Sequence, residues 1–541
     1  MIGIGYGAVF LRRGTLMCAI AAVAIPTNAA SGRAPAPSPV DILIAGGTVI
    51  DGTGAPARRA DIGVRGDRIV FIGDGGALRR TARRVIDATG MLVTPGFIDP
   101  HTHEDADIAS PDRTRRLALN QLAQGVTTIM VGNDGDGDPA ISARFARMSE
   151  AGAGVNIARF VGFGAVRSQV VGRDDRAPTP AETERMRALV AGAMCEGAVG
   201  FSTGLYYAPQ SFAKTGEVIA LAREAAARGG VYDTHMRDEG SETIGVGAAV
   251  DEALRIGREA GMPVHIAHIK ALGVDVQGKA GEIVAQVERA RAAGQAVTAD
   301  QYPWSASGTR LSAALVPRWA HDGGIAAMRK RLADPALTPR LKREMADNLR
   351  RRGGAGALLL TGGAHAGKRL DAIAADWRID PVDAAIRILV SGDPAPVASF
   401  NMADRDIDVF ARQPWVMTSS DGSAGHPRKY GSFALAWTRF VRDGHSLSPE
   451  QFVRRSSGLT AEAFGLTDRG LLKPGAFADV AVFDGRQFAA RADYEHPERL
   501  AAGVRAVIVN GVVAIENGNP TGVLAGRAVR KDTTALKDCR R

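Results

Sequence analysis

Cysteine is scarce in this chain. The three cysteines are Cys18, Cys195 and Cys539, which is not the dense, regular spacing of a disulfide-stabilised domain. Cys18 lies in an N-terminal segment that we expect to be removed. Of the two that remain, one is inside a helical pattern and the other is in the C-terminal tail. The sequence therefore implies no disulfide framework, even in an oxidising compartment.

Dense basic blocks are also missing. The net charge is +9, but it comes mostly from arginines spread along the chain, and aromatic residues make up only 5% of the sequence. A nucleic-acid-binding protein would cluster basic residues and interleave them with aromatic ones. We therefore predict no nucleic-acid partner and expect a solvated, weakly cationic surface.

The N-terminal apolar run is too short for a comfortable membrane span. The stretch "GTLMCAIAAVAIP" follows Arg12 and Arg13, has about the length of a signal-peptide core, and precedes the small residues of "TNAASGRAPAPSP". This pattern predicts a signal peptide over residues 1–30 and a linker over residues 31–40. We expect export, to the periplasm, and no stable membrane span after processing.

The chain is long enough to bury a large core, because its full sequence has 541 residues, of which 45% are hydrophobic. Residues 41–95 and 467–530 contain short β-branched runs broken by Gly and Asp, which are typical of strands and hairpins. Residues 96–466 alternate strand-like runs with helical stretches, which indicates βα units around a parallel sheet. Because this middle exceeds the usual (β/α)8 length, we predict a helical insertion around 320–355, and residues 531–541 form a C-terminal tail.

Four histidines follow strand-like runs. His101 and His103 are two apart in "PGFIDPHTHED", so their side chains project from one face of a strand, as metal ligands would. His235 ends "GGVYDTH" and His268 lies in "VHIAHIK". The active sites of barrels lie at the carboxyl ends of their strands, so the four histidines together favour a metal site over core packing.

Other candidates follow from the same strand pattern. Strand parity predicts that His265 points outward and that Lys270, which shares parity with His268, reaches the barrel mouth to meet an anionic substrate group. Asp421 ends "WVMTSSD", where it could cap the following turn or accept a proton from water. The four histidines make the catalytic interpretation the better one.

The order of several motifs resembles the N-acyl-D-amino-acid deacylase branch of the amidohydrolase superfamily. These motifs are "TPGFIDPHTHEDAD", "QGVTTIMVGNDG", "GFSTGLYY", "THMRDE", "HIAHIKALG", "DQYPW", "SSDGSAGHPRKYGSF" and "GLLKPGAFADVAVFD". The resemblance covers residues 41 to 518. It implies an α/β fold, a TIM-like metal-dependent hydrolase barrel with a small β-sandwich assembled from both chain ends.

The resemblance also implies roles for individual residues. His101 and His103 would hold one metal ion, and His235 and His268 would hold the other. Asp421 would be the general base toward water and the acid toward the leaving amine. The positions expected near the substrate carboxylate are Lys270, Tyr302 and Arg428, with Ser307 as a weaker candidate.

The stretch "VGNDGDGD" departs from the family pattern. It is not a calcium loop, because the glycine required at position six is Pro139 and the glutamate required at position twelve is Phe145. The family usually has a metal-ligating cysteine where this chain has Asp134. We expect Asp134 to bridge the metals, which makes the site less thiophilic and admits Mn²⁺ or Co²⁺ beside Zn²⁺. We expect Asp136 and Asp138 to be solvated turn residues.

The expected reaction is hydrolysis of an amide in a small-molecule substrate that also carries a carboxylate. Three alternatives remain open. A cyclic-amide hydrolase of the dihydropyrimidinase type would need a strand lysine, but the only lysine between His103 and His235 is Lys214, at a loop or helix start. A dipeptidase acting on D-configured or isomeric peptides would share the same site, and an inactive metal-binding relative would keep the ligands without turnover.

Overall fold

The computed structural model describes residues 40–539. The predicted signal peptide, nearly all of the predicted linker and the last two residues lie outside the described part. Within it, none of the helices combines the length and the apolar character that crossing a membrane requires.

Eight parallel strands of the described chain form a nearly closed barrel, with the eighth strand beside the seventh and the first at the other edge. In chain order, the first to eighth barrel strands are Phe97–Asp99, Val126–Val131, Asn156–Gly162, Gly200–Gly204, Val231–His235, Val264–Ile266, Val297–Gln301 and Val416–Thr418. A single bridge between Thr102 and Gly422 joins the first and eighth strands just beyond their carboxyl ends. That end of the barrel therefore gathers the residues that follow each strand.

Helices cover the outside of the barrel because each buries one apolar stripe against the sheet. The helix Pro180–Cys195 shows how the sequence starts one: Thr179 and Glu182 form a reciprocal capping box, and Pro180 takes the first helical position. The α-helices outside the insertion are Asp105–Ile108, Arg113–Arg116, Leu119–Leu122, Ile141–Ala151, Phe163–Val170, Pro180–Cys195, Thr215–Ala226, Val246–Ala260, Ala280–Ala292, Asp404–Ala411, Arg428–Ala436, Pro449–Ser456 and Gly458–Phe464.

Apolar side chains fill the amino-terminal half of the barrel interior. Met130, Phe160 and Met417 come from three of the strands, and Phe464 from the last helix packs among them. The carboxyl-terminal half of the interior is polar instead. The polar half is where the candidate site lies.

Both chain ends build a small β-sandwich. One sheet has the order Arg68–Gly73, Asp61–Arg65, Ile42–Ala45, Arg84–Asp87, and the other has the order Asn519–Pro520, Val512–Glu516, Val504–Val509, Val480–Phe483, Leu92–Pro95, Thr48–Val49, Arg58–Arg59. One core of buried aliphatic residues joins strands from residues 42–93 to strands from residues 480–513. The predicted fold class, a barrel with a sandwich built from both ends, is confirmed.

The insertion between the seventh and eighth barrel strands is larger than the predicted helical stretch. It contains a three-stranded sheet in the order Ala306–Arg310, Pro396–Phe400, Leu358–Leu360, and the α-helices Leu311–Leu315, Ile325–Leu332, Thr338–Arg351, Leu370–Trp377 and Pro381–Ser391. These elements bury an apolar core of their own. A short run such as Leu358–Leu360 cannot be told from a barrel strand by its pattern, because only strand pairing assigns it to a second sheet.

The C-terminal tail follows the amino-terminal end of the barrel. Backbone hydrogen bonds join Gly526 to Ala153 and Val529 to Ile157, each with an N–O distance of 2.8 Å. A disulfide between Cys195 and Cys539 closes this contact. The two cysteines are 344 residues apart in sequence, so the pairing depends on the route of the tail and not on a local pattern.

Candidate active site

The four predicted histidines meet at the carboxyl end of the barrel. His235 ends the fifth strand, and its Nδ1 lies 3.0 Å from Nε2 of His268, which follows the sixth strand. The ring centres of His101 and His268 are 4.6 Å apart, and those of His101 and His103 are 5.4 Å apart. All are buried except His103, which is partly exposed.

Asp134 lies between the four imidazoles. Its Oδ1 is 3.4 Å from Nε2 of His101 and 3.5 Å from Nε2 of His268. Its Oδ2 is 3.6 Å from Nε2 of His103 and 3.6 Å from Nδ1 of His235. Each carboxylate oxygen therefore faces one histidine of each predicted pair, so Asp134 could hold a metal ion together with either pair. Burial alone would raise the pKa of Asp134, but the charges of His235 and His101 hold it well below its usual range.

Sharp backbone turns bring these side chains into the mouth. Asp134, His268 and Asp421 have φ angles of 55°, 35° and 47°, in the left-handed region that residues other than glycine rarely adopt. Each follows the end of a barrel strand. Such conformations persist where the surrounding structure fixes them, and they concentrate at functional sites.

Asp421 completes the cluster. Its Oδ1 lies 3.2 Å from Nε2 of His103 and 3.8 Å from Nε2 of His101, and its Oδ2 lies 2.7 Å from Nη1 of Arg428. Burial would raise the pKa of Asp421, but the nearby Arg428 and His268 charges and the His103 hydrogen bond hold it well below the usual range. The carboxylate is therefore ionised at neutral pH, although it is almost entirely out of solvent.

The donor atoms of this cluster fit a metal centre. Both ring nitrogens of His101, Oδ1 of Asp134 and Nε2 of His235 are buried and have no hydrogen-bond partner among the described residues. Buried polar atoms normally have partners, so these atoms lack a ligand that the protein itself does not supply. The sets His101, His103, Asp421 and His101, Asp134, His268 each bring their donors within 4.8 Å of one another. Imidazole and carboxylate donors suit Zn²⁺, and also Mn²⁺ and Co²⁺.

Comparison with known proteins agrees with this geometry. The Amidohydrolase family matches residues 84–378 and 382–515, well over half of the chain. The chain belongs to the amidohydrolase family. It is 35% identical to the D-aminoacylase of Alcaligenes xylosoxydans xylosoxydans, covering 91% of this chain and 98% of that protein. It is 34% identical to the N-acyl-D-glutamate deacylase of the same organism, covering 92% of this chain and 97% of that protein.

A solved structure gives the same result. The N-acyl-D-glutamate deacylase of Bordetella bronchiseptica, complexed with zinc and a phosphonate inhibitor that mimics the tetrahedral intermediate, has a TM-score of 0.76 and 33% identity to this chain. The similarity covers 91% of this amidohydrolase and 100% of that chain. The predicted family resemblance is therefore confirmed.

The four predicted substrate-binding residues of this amidohydrolase all lie near the cluster, but two are held by carboxylates. Nζ of Lys270 is 2.6 Å from Oε1 of Glu239 and 2.7 Å from Nδ1 of His268. Arg428 pairs with Asp421 and is not among the residues that line the cavity beside the cluster.

The other two predicted substrate-binding residues line that cavity. Tyr302 lies with its ring centre 5.1 Å from the Arg428 guanidinium carbon, and burial raises its pKa well above the usual value. The hydroxyl of Ser307 donates to Oδ1 of Asn401 at 3.1 Å. Both side chains are buried.

The predicted outward orientation of His265 is wrong. Its register partners are Asp233 and Thr298, and its Nε2 is 2.8 Å from Oδ2 of Asp300 while its ring packs on Phe464. These contacts place it inside the barrel, below the layer of the four clustered histidines. The alternation of side chains along a strand could not predict this orientation, because the sixth strand ends at Ile266 and the chain turns at His268. The orientation of His268 therefore says nothing about that of His265.

The two aspartates that follow Asp134 in "VGNDGDGD" behave as turn residues. Asp136 is exposed. Oδ1 of Asp138 accepts a hydrogen bond from the backbone N–H of Ala140 at 2.8 Å, and its Oδ2 pairs with Arg144. Neither belongs to a set of converging metal donors among the described residues.

Sequence reasoning missed several residues of this cavity. Glu239 lies with Oε1 3.1 Å from Nδ1 of His268 and Oε2 3.5 Å from Nε2 of His235. Tyr206, Tyr207 and Arg352 also line the cavity. Glu239 lies in the motif "THMRDE", and both tyrosines lie in "GFSTGLYY". These motifs carry the family resemblance, so they could have indicated the three residues. Arg352 comes from the insertion, so nothing in its local sequence indicated the site.

Proposed function

We propose that this amidohydrolase cleaves the amide bond of N-acyl-D-amino acids, which releases a carboxylate and a free D-amino acid. The observation that carries the proposal is the convergence of four histidines, Asp134 and Asp421 at the mouth of the barrel. The D-configuration and the acyl-amino-acid class are supported by the relatives, a D-aminoacylase and an N-acyl-D-glutamate deacylase.

In this proposal the histidines and Asp134 would hold one or two zinc ions. The pairs His101 with His103 and His235 with His268 supply nitrogen donors, and Asp134 faces all four. Zinc held there would supply two kinds of chemistry, polarisation of the amide carbonyl and a lowering of the pKa of the attacking water to about 7. Carboxylate in place of the family cysteine makes the site harder, so Mn²⁺ and Co²⁺ remain acceptable.

Asp421 moves the proton. Because its carboxylate is ionised and lies 3.2 Å from His103 at the edge of the ligand cluster, it can accept a proton from the attacking water. The same carboxyl group then donates that proton to the leaving amide nitrogen. Arg428, 2.7 Å away, fixes the orientation of the carboxylate throughout.

The substrate α-carboxylate would lie near Asp421, since it is only two bonds from the amide nitrogen that Asp421 protonates. Tyr302 and Ser307 line the cavity, and Lys270 lies at its edge beside His268. Lys270, Tyr302 and Ser307 provide cationic and hydroxyl donors of the kind that bind carboxylates, and Arg428 adds positive charge from behind the cavity. The paired carboxylates Glu239 and Asp421 hold both cations in fixed positions, so the donors are preorganised.

We further propose export to an oxidising compartment. The disulfide between Cys195 and Cys539 supports this, since such bonds persist mainly outside the cytosol, and the N-terminal segment has the composition of a signal peptide. Cell fractionation, with mass spectrometry of the mature N-terminus, tests the proposal. A protein that stays cytosolic with an intact N-terminus and two free thiols would contradict it.

The experiment that tests the activity uses matched N-acetyl-D- and N-acetyl-L-amino acids. The mature protein is loaded with Zn²⁺, and separately with Mn²⁺, and release of the free amino acid is measured. We expect turnover of the D member alone, and loss of turnover in Asp421→Asn, which keeps the side-chain shape without an ionisable carboxylate. Metal binding without turnover of either enantiomer would refute the proposed function.

A further inference from the structure

A buried ionic network forms one wall of the cavity. Oε2 of Glu242 lies 2.7 Å from the Tyr206 hydroxyl and 3.1 Å from Nη2 of Arg318, and Oε1 lies 3.0 Å from Nη2 of Arg352. Arg352 Nη2 also donates to the Tyr206 hydroxyl at 2.6 Å. Two guanidinium groups thus share one carboxylate. The network therefore carries one positive charge that no carboxylate within it balances.

Arg352 has an unused donor in this network. Its side chain is 2% exposed, its Nε donates to the carbonyl oxygen of Ala314 at 3.0 Å, and its Nη2 is taken by Tyr206 and Glu242. Nη1 is shielded from solvent and has no hydrogen-bond partner among the described residues. A buried charged donor without a partner is costly, and because Arg352 lines the cavity, an anionic group bound in the cavity would satisfy it.

The other cation that lines the cavity is already neutralised. Nζ of Lys270 is 2.6 Å from Glu239, and the pair is buried on both sides. Arg428, behind the cavity, pairs with Asp421 at 2.7 Å. Among the arginines and lysines that line the cavity, Arg352 is thus the one associated with surplus positive charge.

The location of Arg352 decides which anionic group it meets. The ring centre of Tyr206 is 5.4 Å from that of His235, so Arg352, bonded to the hydroxyl of that tyrosine, lies one side chain beyond the ligand cluster. Asp421 contacts the cluster from the other side, at His101 and His103. The α-carboxylate of the substrate lies close to the amide nitrogen, which receives its proton from Asp421. A carboxylate farther along the substrate can reach Arg352.

We infer that Arg352 binds the side-chain carboxylate of the substrate and thereby selects acidic D-amino acids, as N-acyl-D-glutamate or N-acyl-D-aspartate. The inference rests on the proposed function and refines it. Sequence identity does not make this choice, because the D-aminoacylase and the N-acyl-D-glutamate deacylase are 35% and 34% identical to this chain. The unbalanced positive charge of the network favours the acidic substrates instead.

The test compares N-acetyl-D-glutamate with N-acetyl-D-glutamine, which has the same shape without the charge, on the zinc-loaded enzyme. We expect kcat/KM to be about 10- to 100-fold higher for the glutamate substrate, since charge-assisted hydrogen bonds to a buried guanidinium discriminate strongly. Arg352→Gln should bring this ratio close to one, mainly through KM for the glutamate substrate. Glu242→Gln should raise the ratio, because it removes the carboxylate that competes with the substrate.

Arg350→Gln is the matched control. Arg350 is an exposed arginine two positions earlier that pairs with Asp275 on the surface, so its replacement should leave the ratio unchanged. An unchanged ratio in Arg352→Gln, or an equal loss on both substrates, would overturn the inference. If Arg352→Gln does not fold, an unchanged ratio in Glu242→Gln would overturn it. Hydrolysis of both substrates without preference would reject the inference and keep the proposed function, whereas hydrolysis of neither would reject both.

Discussion

Removal of the Asp134 carboxylate tests the feature in which this chain departs from its family. In Asp134→Ala, both oxygens that face the four histidines at 3.4–3.6 Å are lost. Loss of a group that merely orients a metal ligand costs 10- to 100-fold in metal affinity. Loss of a direct bridging ligand must cost at least as much, so we expect zinc affinity to fall by 100-fold or more, which is about 2.7 kcal/mol.

Two measurements follow this loss without depending on catalysis. Elemental analysis after dialysis against a weak chelator reports the metal content, and we expect at least one ion fewer in Asp134→Ala. Denaturant unfolding with saturating Zn²⁺ and with chelator reports how much the metal stabilises the fold, and this gain should shrink by about 2.7 kcal/mol at fixed zinc concentration. Asp134→Cys, which restores the family ligand, should recover metal binding and favour thiophilic ions such as Cd²⁺.

The control is Asp136→Asn, in the same loop but exposed and outside the converging donors. It should keep the metal content and the zinc-dependent stability of the wild type. A folded Asp134→Ala protein with unchanged metal content would show that Asp134 is not a ligand. The four histidines and Asp421 would then have to hold the metal without a bridge.

Four further predictions follow from other parts of the structure. Asp421→Asn should lower kcat by about 10²- to 10⁴-fold with metal content retained, since a general acid–base contributes that much. Kinetics and elemental analysis on the same protein sample test this, and a fall in metal content together with kcat would contradict it. Gly308→Ala would place a Cβ 2.7 Å from Nη2 of Arg428, so kcat/KM should drop by about tenfold while the circular dichroism spectrum stays unchanged. Cys539→Ser should cost about 2–4 kcal/mol in the free energy of unfolding but leave kcat intact, because Cys195 lies at the opposite end of the barrel from the site; equal stability with and without reductant in the wild type would argue against it. Burial and the nearby Arg318 charge lower the pKa of His321 from 6.5 to about 4, so its contribution to stability is complete above pH 6.5 and is lost as pH falls toward 4, by at most about 3 kcal/mol. Urea unfolding of wild type and His321→Gln across pH 7 to 4 should therefore show a steeper loss in the wild type, and parallel curves would refute the assignment.

Much of the fold could be predicted because it rests on local pattern. Alternating β-branched runs at both ends indicated the sandwich, and alternating strand and helix patterns indicated the barrel. The histidines were identifiable because a barrel brings the carboxyl ends of its strands to one place, so residues far apart in sequence become neighbours. The spacing of His101 and His103 and the strand-end positions of His235 and His268 carried that information.

Three-dimensional packing decided the rest. The orientation of His265 depended on where the sixth strand ended and on the left-handed turn at His268, which parity counting cannot see. The Cys195–Cys539 bond depended on the path of the tail across the barrel.

The sequence by itself determined the kind of barrel and the positions of four histidines and Asp421 near the ends of its strands, because those features follow from the period of hydrophobicity and from where strands end. The tertiary structure alone placed Asp134 among all four histidines and brought Arg352 from the insertion to the wall of the cavity. Charge balance in a buried site depends on which side chains share a partner. That sharing is set by packing between distant segments, so no local pattern contains it.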